Sequence, residues 1–391
     1  AAGAGLYTGD LGHVWKNIKI YLNNETIKSI SDPNFYSNRP PLLYLFHKYI
    51  NPFTGDIELF RLSVFVISIT SPFLFYYCLT KKFIKTNKIF LALIAVTILL
   101  SPYYRTSSYW GLEENFGIIS SLIAIIFFLN FEKNNTNKNL ILVTFFSSLC
   151  VYFDQKLLVI PLIFFIRIFF LEKRYDKRLI LILIYLIFSL PYIYLIIKWN
   201  GIFPPSHKEL HDFNVILWDN LIYTVTIMAI YFMPFFLMKN NLIGSLKILS
   251  VNKIFLSSLA FIFILIFYLE AFYLRPEFDF HSNLDGGGAI RKLSYILFEN
   301  NELQRVFLFL SALFLWPTIC LFVNKNNFYI ILFFLILSLF IYPLYQETFD
   351  PIILILILFF FFKEEQIKFK SVIFINLYFT TFLLSSIFYY N

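Results

Sequence analysis

Charge is scarce in this chain. Of its 391 residues, 14% are charged and 59% are hydrophobic, and the mean hydropathy is +0.71. Soluble domains run nearer ~25% charged and ~45–50% apolar, so a water-soluble globular domain is excluded as the bulk of the protein. Cysteine is scarce too. Cys78, Cys150 and Cys320 all fall within apolar runs, which leaves neither a disulfide framework nor a zinc-binding spacing. The start, Ala1-Ala2-Gly3-Ala4-Gly5, has no signal-peptide pattern. It enters a polar segment almost at once, so a further span is expected ahead of it. There is no low-complexity linker, no separate soluble domain and no clear repeat.

What is present is apolar length. Runs approaching ~20 apolar residues read as transmembrane helices, since backbone polar groups must be satisfied internally in lipid. The expectation is an all-α polytopic membrane protein, with residues 1–391 forming one integral membrane domain. About twelve spans can be read: Leu59–Thr80, Ile89–Leu100, Phe116–Phe131, Leu140–Phe153, Leu157–Leu171, Leu179–Ile197, Leu221–Met238, Ile254–Leu274, Val306–Val323, Phe328–Tyr345, Pro351–Phe362 and Ser371–Tyr389.

Alternate connections differ in charge. One set is short and basic and holds just over half of the 32 Lys and Arg, with clusters at Lys81–Lys88, Lys173–Arg178 and Lys363–Lys370. Of the 24 acids, only Glu132, Glu172, Asp176, Glu364 and Glu365 fall in it. The positive-inside rule makes this set cytoplasmic. It also accounts for the net charge of +8 without a nucleic-acid partner. The opposite, extracytoplasmic set is long and holds all five histidines. It comprises residues 1–58, 101–115, 198–220 and 275–305. Connections longer than ~12–15 residues are usually functional or disordered, and these are too apolar for disorder.

In the first outer loop, residues 1–58, Leu11, Val14, Trp15, Ile18, Tyr21 and Leu22 have helical spacing, with Lys16, Asn17 and Lys19 opposite. This predicts an interfacial helix. Asp10 stands at its start, either as an N-cap or as a carboxylate held at the membrane surface with His13 one turn away. A second short interfacial helix, Leu42–Ile50, follows Asn38-Arg39-Pro40-Pro41, because proline is tolerated in a first turn. In the 275–305 loop, Asp285-Gly286-Gly287-Gly288-Ala289-Ile290-Arg291-Lys292 is a candidate phosphate-binding segment. A glycine loop opening a helix offers free N–H groups to an anion, with two cations behind it. The plain alternative is a flexible loop and a snorkelling Arg-Lys pair. Arg275 and His281 precede this segment and could line the same pocket. His207 and His211 share i, i+4 spacing, but Lys208 and Glu209 follow His207, so the zinc-helix pattern is absent. No cofactor is called for. A divalent metal is compatible with the reading but has no ligand set supporting it.

Three stretches carry a family resemblance: Tyr7-Thr8-Gly9-Asp10, Arg39-Pro40-Pro41-Leu42-Leu43-Tyr44, and Ser101-Pro102-Tyr103-Tyr104-Arg105 through Glu113-Glu114. An acid soon after a first span, a Pro-Pro-Leu helix start about thirty residues later and an acidic second outer loop resemble the GT-C superfamily. These are polytopic glycosyltransferases that use polyprenyl-phosphate-linked sugars, dolichyl phosphate included. In this chain Asp10 is followed by Leu11, where many members carry a second acid. The resemblance implies an inverting hexosyltransferase acting on the extracytoplasmic side of a plasma membrane or endoplasmic reticulum. Asp10 would be the catalytic base. His13, Arg39, Arg105, Glu113, Glu114, Arg275, His281, Arg291 and Lys292 would contact substrate, the cations among them being suited to a lipid phosphate. The implied partners are the polyprenyl-phosphate-linked donor, a lipid, glycan or protein acceptor, and membrane lipids. Two other readings remain: a lipid or glycan flippase or transporter, and a non-catalytic subunit that binds lipid-linked glycans.

Overall fold

The computed structural model describes residues 4–37, 39–202, 204, 216–239, 261, 286–341 and 344–390. The expected span Ile254–Leu274 lies outside the described residues, as do Arg275, His281, His207 and His211. Among the described residues the protein is all-helical, without strands. Its contacts group into two units, one of residues 1–212 and 379–391 and one of residues 213–378.

Among the described residues six helices are long and apolar enough to cross a membrane: Ile57–Lys82, Glu114–Lys133, Tyr175–Trp199, Asp219–Met238, Asn301–Phe322 and Phe369–Phe388. These match six of the twelve expected spans, and the architecture is that of a multi-pass membrane protein. Tyr175–Trp199 leaves Leu183, Leu186, Ile187, Leu190 and Ile197 exposed, an apolar surface suited to lipid rather than water. Several of the other expected spans are shorter or broken among the described residues. The run at Ile89–Leu100 becomes a helix and a 3₁₀ turn, then bends by 67° into Pro102–Trp110. Asn137–Phe153 has 17 residues and Val159–Leu171 has 13. At ~1.5 Å per residue both fall short of a ~30 Å hydrocarbon core. Phe328–Ser338 has 11 residues. The Pro351–Phe362 run is a single buried turn, Ile352–Leu356, followed by a π-turn, Ile357–Phe361.

The first unit opens with α1 (Ala4–Asn23), α2 (Thr26–Ile30) and α3 (Leu42–Tyr49). The helix α1 starts six residues before Asp10, so Asp10 lies within it and is not its N-cap. The apolar face read for a membrane surface is largely covered by protein. Leu11, Val14, Ile18 and Tyr21 join Leu43, Tyr44, Phe60, Val64, Phe116 and Phe153 in one core. Asn17, read as part of the polar face, is buried as well. Trp199 is buried and donates its indole N–H to the Ile30 carbonyl at 2.9 Å. That bond ties the end of Tyr175–Trp199 to the first segment.

Next come α4 (Ile57–Ser68), α5 (Thr70–Lys82), α6 (Lys88–Val96), α7 (Pro102–Trp110), α8 (Glu114–Lys133), α9 (Asn137–Phe153), α10 (Val159–Leu171) and α11 (Tyr175–Trp199). Local chemistry sets several of their ends. Asp56 caps α4, accepting from the Glu58 and Leu59 N–H groups. Ser101 caps α7 through the Tyr104 N–H, with Pro102 in the first turn. Gly111, at φ +75°, ends α7 in the left-handed conformation that glycine adopts most cheaply. Several polar contacts join neighbouring helices of this unit. Lys81 bonds Asn130 at 2.8 Å, Lys177 bonds Asn135 at 2.6 Å and Asn135 bonds Glu172 at 2.7 Å. All of these belong to the short basic set or its border.

The second unit holds α12 (Asp219–Lys239), α13 (Gly288–Leu297), α14 (Asn301–Phe322), α15 (Phe328–Ser338) and α16 (Ile352–Leu356). The last helix, α17 (Phe369–Tyr390), contains the boundary between the two units. In the second unit, α12 packs on α13, α14, α15 and α16. Asn220 closes one end of α15 by donating to the carbonyls of Ser338 and Ile341, both at 2.7 Å.

Gly117 on α8 makes room for Leu157 of the turn that follows α9. A Cβ there would lie 2.4 Å from Leu157 Cδ1 and 3.4 Å from the Cys150 carbonyl. Gly117→Val is therefore expected to destabilise the protein by about 1–3 kcal/mol, the usual cost of overpacking. A lowered unfolding midpoint in detergent, measured by tryptophan fluorescence, checks this.

Candidate functional site

Two of the stretches singled out in the sequence, those of Arg39 and of Glu113-Glu114, meet in the first unit. Residues ahead of a proline favour extended backbone, and the segment before Pro40-Pro41 carries the Arg39 side chain into the protein. There Nη1 lies 2.5 Å from Glu113 Oε1 and Nη2 lies 2.5 Å from Glu114 Oε1. Nε lies 3.8 Å from Asp154 Oδ1. The Arg39 side chain is 12% exposed and those of Glu113 and Asp154 are 5% and 4%, so these ions are held largely out of water.

Local structure explains why the acids gather here. Glu113 and Glu114 stand at the start of α8, where the helix dipole favours negative charge. Asp154 ends α9 and caps the 3₁₀ turn Gln155–Leu158, accepting the Lys156 N–H at 3.0 Å. A single guanidinium spans the three carboxylates because its planar fork has donors in several directions. Lys156 also acts electrostatically on Glu114.

The cluster holds more acid than base, and its protonation follows from that. Burial works against charge on Arg39, but Glu113, Glu114 and Asp154 outweigh it and hold the guanidinium protonated. Burial pushes the Glu113 carboxyl above the usual range; Arg39 opposes that shift and the neighbouring Glu114 adds to it. Glu113 Oε2 and Glu114 Oε2 are buried without a hydrogen-bond partner among the described residues.

A polar path leads from this cluster to the surface of α1. Tyr44 feels the Glu113 charge, donates to Ser37 Oγ at 3.2 Å and accepts from Asn17 at 3.4 Å. Asn17 spends its amide on Tyr36, donating to the Tyr36 carbonyl at 2.7 Å and accepting the Tyr36 N–H at 3.1 Å. The Tyr36 ring meets the His13 ring at 5.8 Å between centroids. Asp10 and His13 are exposed and lie one turn apart on α1.

The expected site residues thus sort into groups. Arg39, Glu113 and Glu114 are in direct contact, and Asp10 and His13 share an exposed strip of the same unit. Arg105 is exposed on α7. Arg291 and Lys292 belong to the second unit. There Gly286, Gly287 and Gly288 take φ values of +80°, +81° and +73° before α13. A Cβ on Gly286 would lie 2.1 Å from the Leu344 carbonyl oxygen, so this turn requires glycine. The Gly287 N–H donates to the Leu344 carbonyl at 2.7 Å and the Ala289 N–H to Gln346 Oε1 at 2.9 Å. Two N–H groups of the loop are therefore already engaged by protein. Arg291 is buried, faces the Tyr223 and Tyr295 rings and donates to the Tyr295 hydroxyl at 3.0 Å. Burial draws the Lys292 ammonium down to about 8, against the pull of Glu347. The helix is polar inward and apolar outward: Arg291 and Ser294 are buried, while Leu293, Ile296 and Leu297 are exposed.

Sequence reasoning missed Asp154 and Asn17. Asp154 had one available signal, as an acid interrupting two apolar runs. Asn17 had none, since its partner lies nineteen residues away in an irregular segment. Among the described residues no group of three or more His, Cys, Asp or Glu is arranged to hold a metal ion.

Replacing Arg39 with Met leaves three carboxylates facing one another with little water. The expected loss is about 3–5 kcal/mol, as for other broken buried ion pairs. Glu113→Gln should cost far less, because burial already favours the neutral form of that side chain. Chemical unfolding of the two variants side by side provides the check.

His47 offers a second test. It is buried against Phe46, Phe60 and Phe116, with Nδ1 2.9 Å from Asn51 Nδ2. Burial lowers its pKa to about 3. Between the unfolded value near 6.5 and the folded value, the unfolded chain binds the extra proton, so stability falls on acidification by about 1.4 kcal/mol per pH unit. His47→Gln should flatten the decline in unfolding midpoint between pH 6.5 and 5.

Comparison with known proteins gives no match to any family model, curated protein or solved structure.

Proposed function

We propose that this chain is a membrane glycosyltransferase that moves a sugar from a polyprenyl-phosphate carrier to an acceptor on the extracytoplasmic side, inverting the anomeric carbon. The observation that supports this most is the contact of Arg39 with Glu113 and Glu114. Arg39 and Glu114, from two of the three stretches that resemble the GT-C superfamily, are 75 residues apart, yet they belong to one buried cluster. The same unit carries Asp10 on α1, which packs on α3 and α7.

In this reading Asp10 accepts the proton of the acceptor hydroxyl as its oxygen attacks the anomeric carbon. The bond from that carbon to the phosphate oxygen breaks, and the polyprenyl phosphate leaves as an anion. Arg39, Glu113 and Glu114 fix the first segment under the substrate.

Asp10→Asn should lower transfer from a radiolabelled polyprenyl-phosphate sugar by about 10²–10⁴-fold, the usual contribution of a positioned base. Its unfolding midpoint should stay near that of the parent, since Asp10 is exposed. A fully active Asn variant would remove the assignment. Movement of the intact lipid-linked sugar across liposomes without glycosidic bond formation would instead indicate a flippase, and binding without turnover a carrier subunit.

A further inference from the structure

Tyr36 is mounted in an unusual way. Asn17 is only 3% exposed, and a buried amide is costly unless its hydrogen bonds are made. Asn17 makes them to both backbone groups of a single residue, Tyr36, which lies outside any helix. Tyr36 as a whole is 42% exposed. It adjoins the His13 imidazole, and Asp10 is His13's neighbour one turn back on α1. A fixed aromatic face beside a carboxylate and an imidazole has the chemistry of a pyranose site. The ring covers the C–H face of a sugar while polar groups bond its hydroxyls. Clamping the Tyr36 backbone beforehand lowers the ordering cost of binding.

We propose that Tyr36 is a stacking platform for the sugar ring, with Asp10 and His13 reaching the hydroxyl edge. The proposal rests on the glycosyltransferase reading and names the part of the first segment that holds the sugar. Tyr36 is a binding residue here and takes no part in proton transfer.

The test uses the full chain in nanodiscs and saturation-transfer-difference NMR with methyl α- and β-pyranosides of glucose, galactose, mannose and N-acetylglucosamine. At least one should receive saturation on the C–H protons of one ring face. Tyr36→Phe and Tyr36→Trp should keep that pattern. Tyr36→Ala should weaken it at least about tenfold at an unchanged unfolding midpoint, because the Asn17 clamp grips backbone alone. Asn17→Ala, which keeps the ring but releases its mount, should also weaken it. Absence of a face-selective signal from every glycoside, or equal signals from the parent and Tyr36→Ala, would overturn the proposal. Equal signals together with loss of transfer in Asp10→Asn would remove the platform and leave the transferase reading intact. Transfer unaffected by Asp10→Asn would strike at that reading instead.

Discussion

Three carboxylates share one guanidinium in the first unit, in surroundings largely closed to water, and the arrangement of the first segment follows from that contact. Moving ions out of water is expensive, and their mutual attraction compensates only when geometry and hydrogen bonding are good. Arg39 meets that condition with one arm on Glu113 and the other on Glu114. Because the partners sit at the start of α8 and the end of α9, the cluster fixes Arg39 and the two prolines after it against those helices. The position of α3 follows, and α1 packs on α3 through Tyr21, Tyr44 and Phe35, whose rings lie 5.4–5.5 Å apart.

This explains how a chain so poor in charge can present an ordered polar surface. The first segment is held at three kinds of anchor. The ion cluster holds its end, Asn17 holds its middle through Tyr36, and Trp199 holds the Ile30 carbonyl at the α2 turn. Buried polar groups that are fully engaged favour one arrangement over competing ones. In the cluster Glu113 Oε2, Glu114 Oε2 and Arg39 Nε are left without a hydrogen-bond partner among the described residues, and burial above all raises the Glu113 pKa, with the neighbouring Glu114 adding to it.

Much of the fold was legible in the sequence because its signals are local. Apolar length marked the six long helices, Pro40-Pro41 marked the start of α3, and the glycines at 286–288 marked the opening of α13. The other runs were legible as apolar but not as spans, since nothing in Ile89–Leu100 announces the 67° bend. The site was legible in its parts. Arg39, Glu113 and Glu114 could be named singly, while their contact depends on packing between distant segments. Asp154 and Asn17 act only through such contacts. The outward apolar face of α13 was visible as periodicity, but only the fold shows that Arg291 points the opposite way, into the protein.

The central claim is that this surface performs a single inverting displacement at a sugar carbon. The most direct measurement is the anomeric configuration of the product formed by the reconstituted protein from a polyprenyl-phosphate sugar of defined linkage, read by the one-bond C1–H1 coupling in NMR. A β-linked donor should yield an α-linked product. A β-linked product, or a donor left intact beside a functional membrane-inserted protein and a panel of lipid, glycan and protein acceptors, would contradict the account.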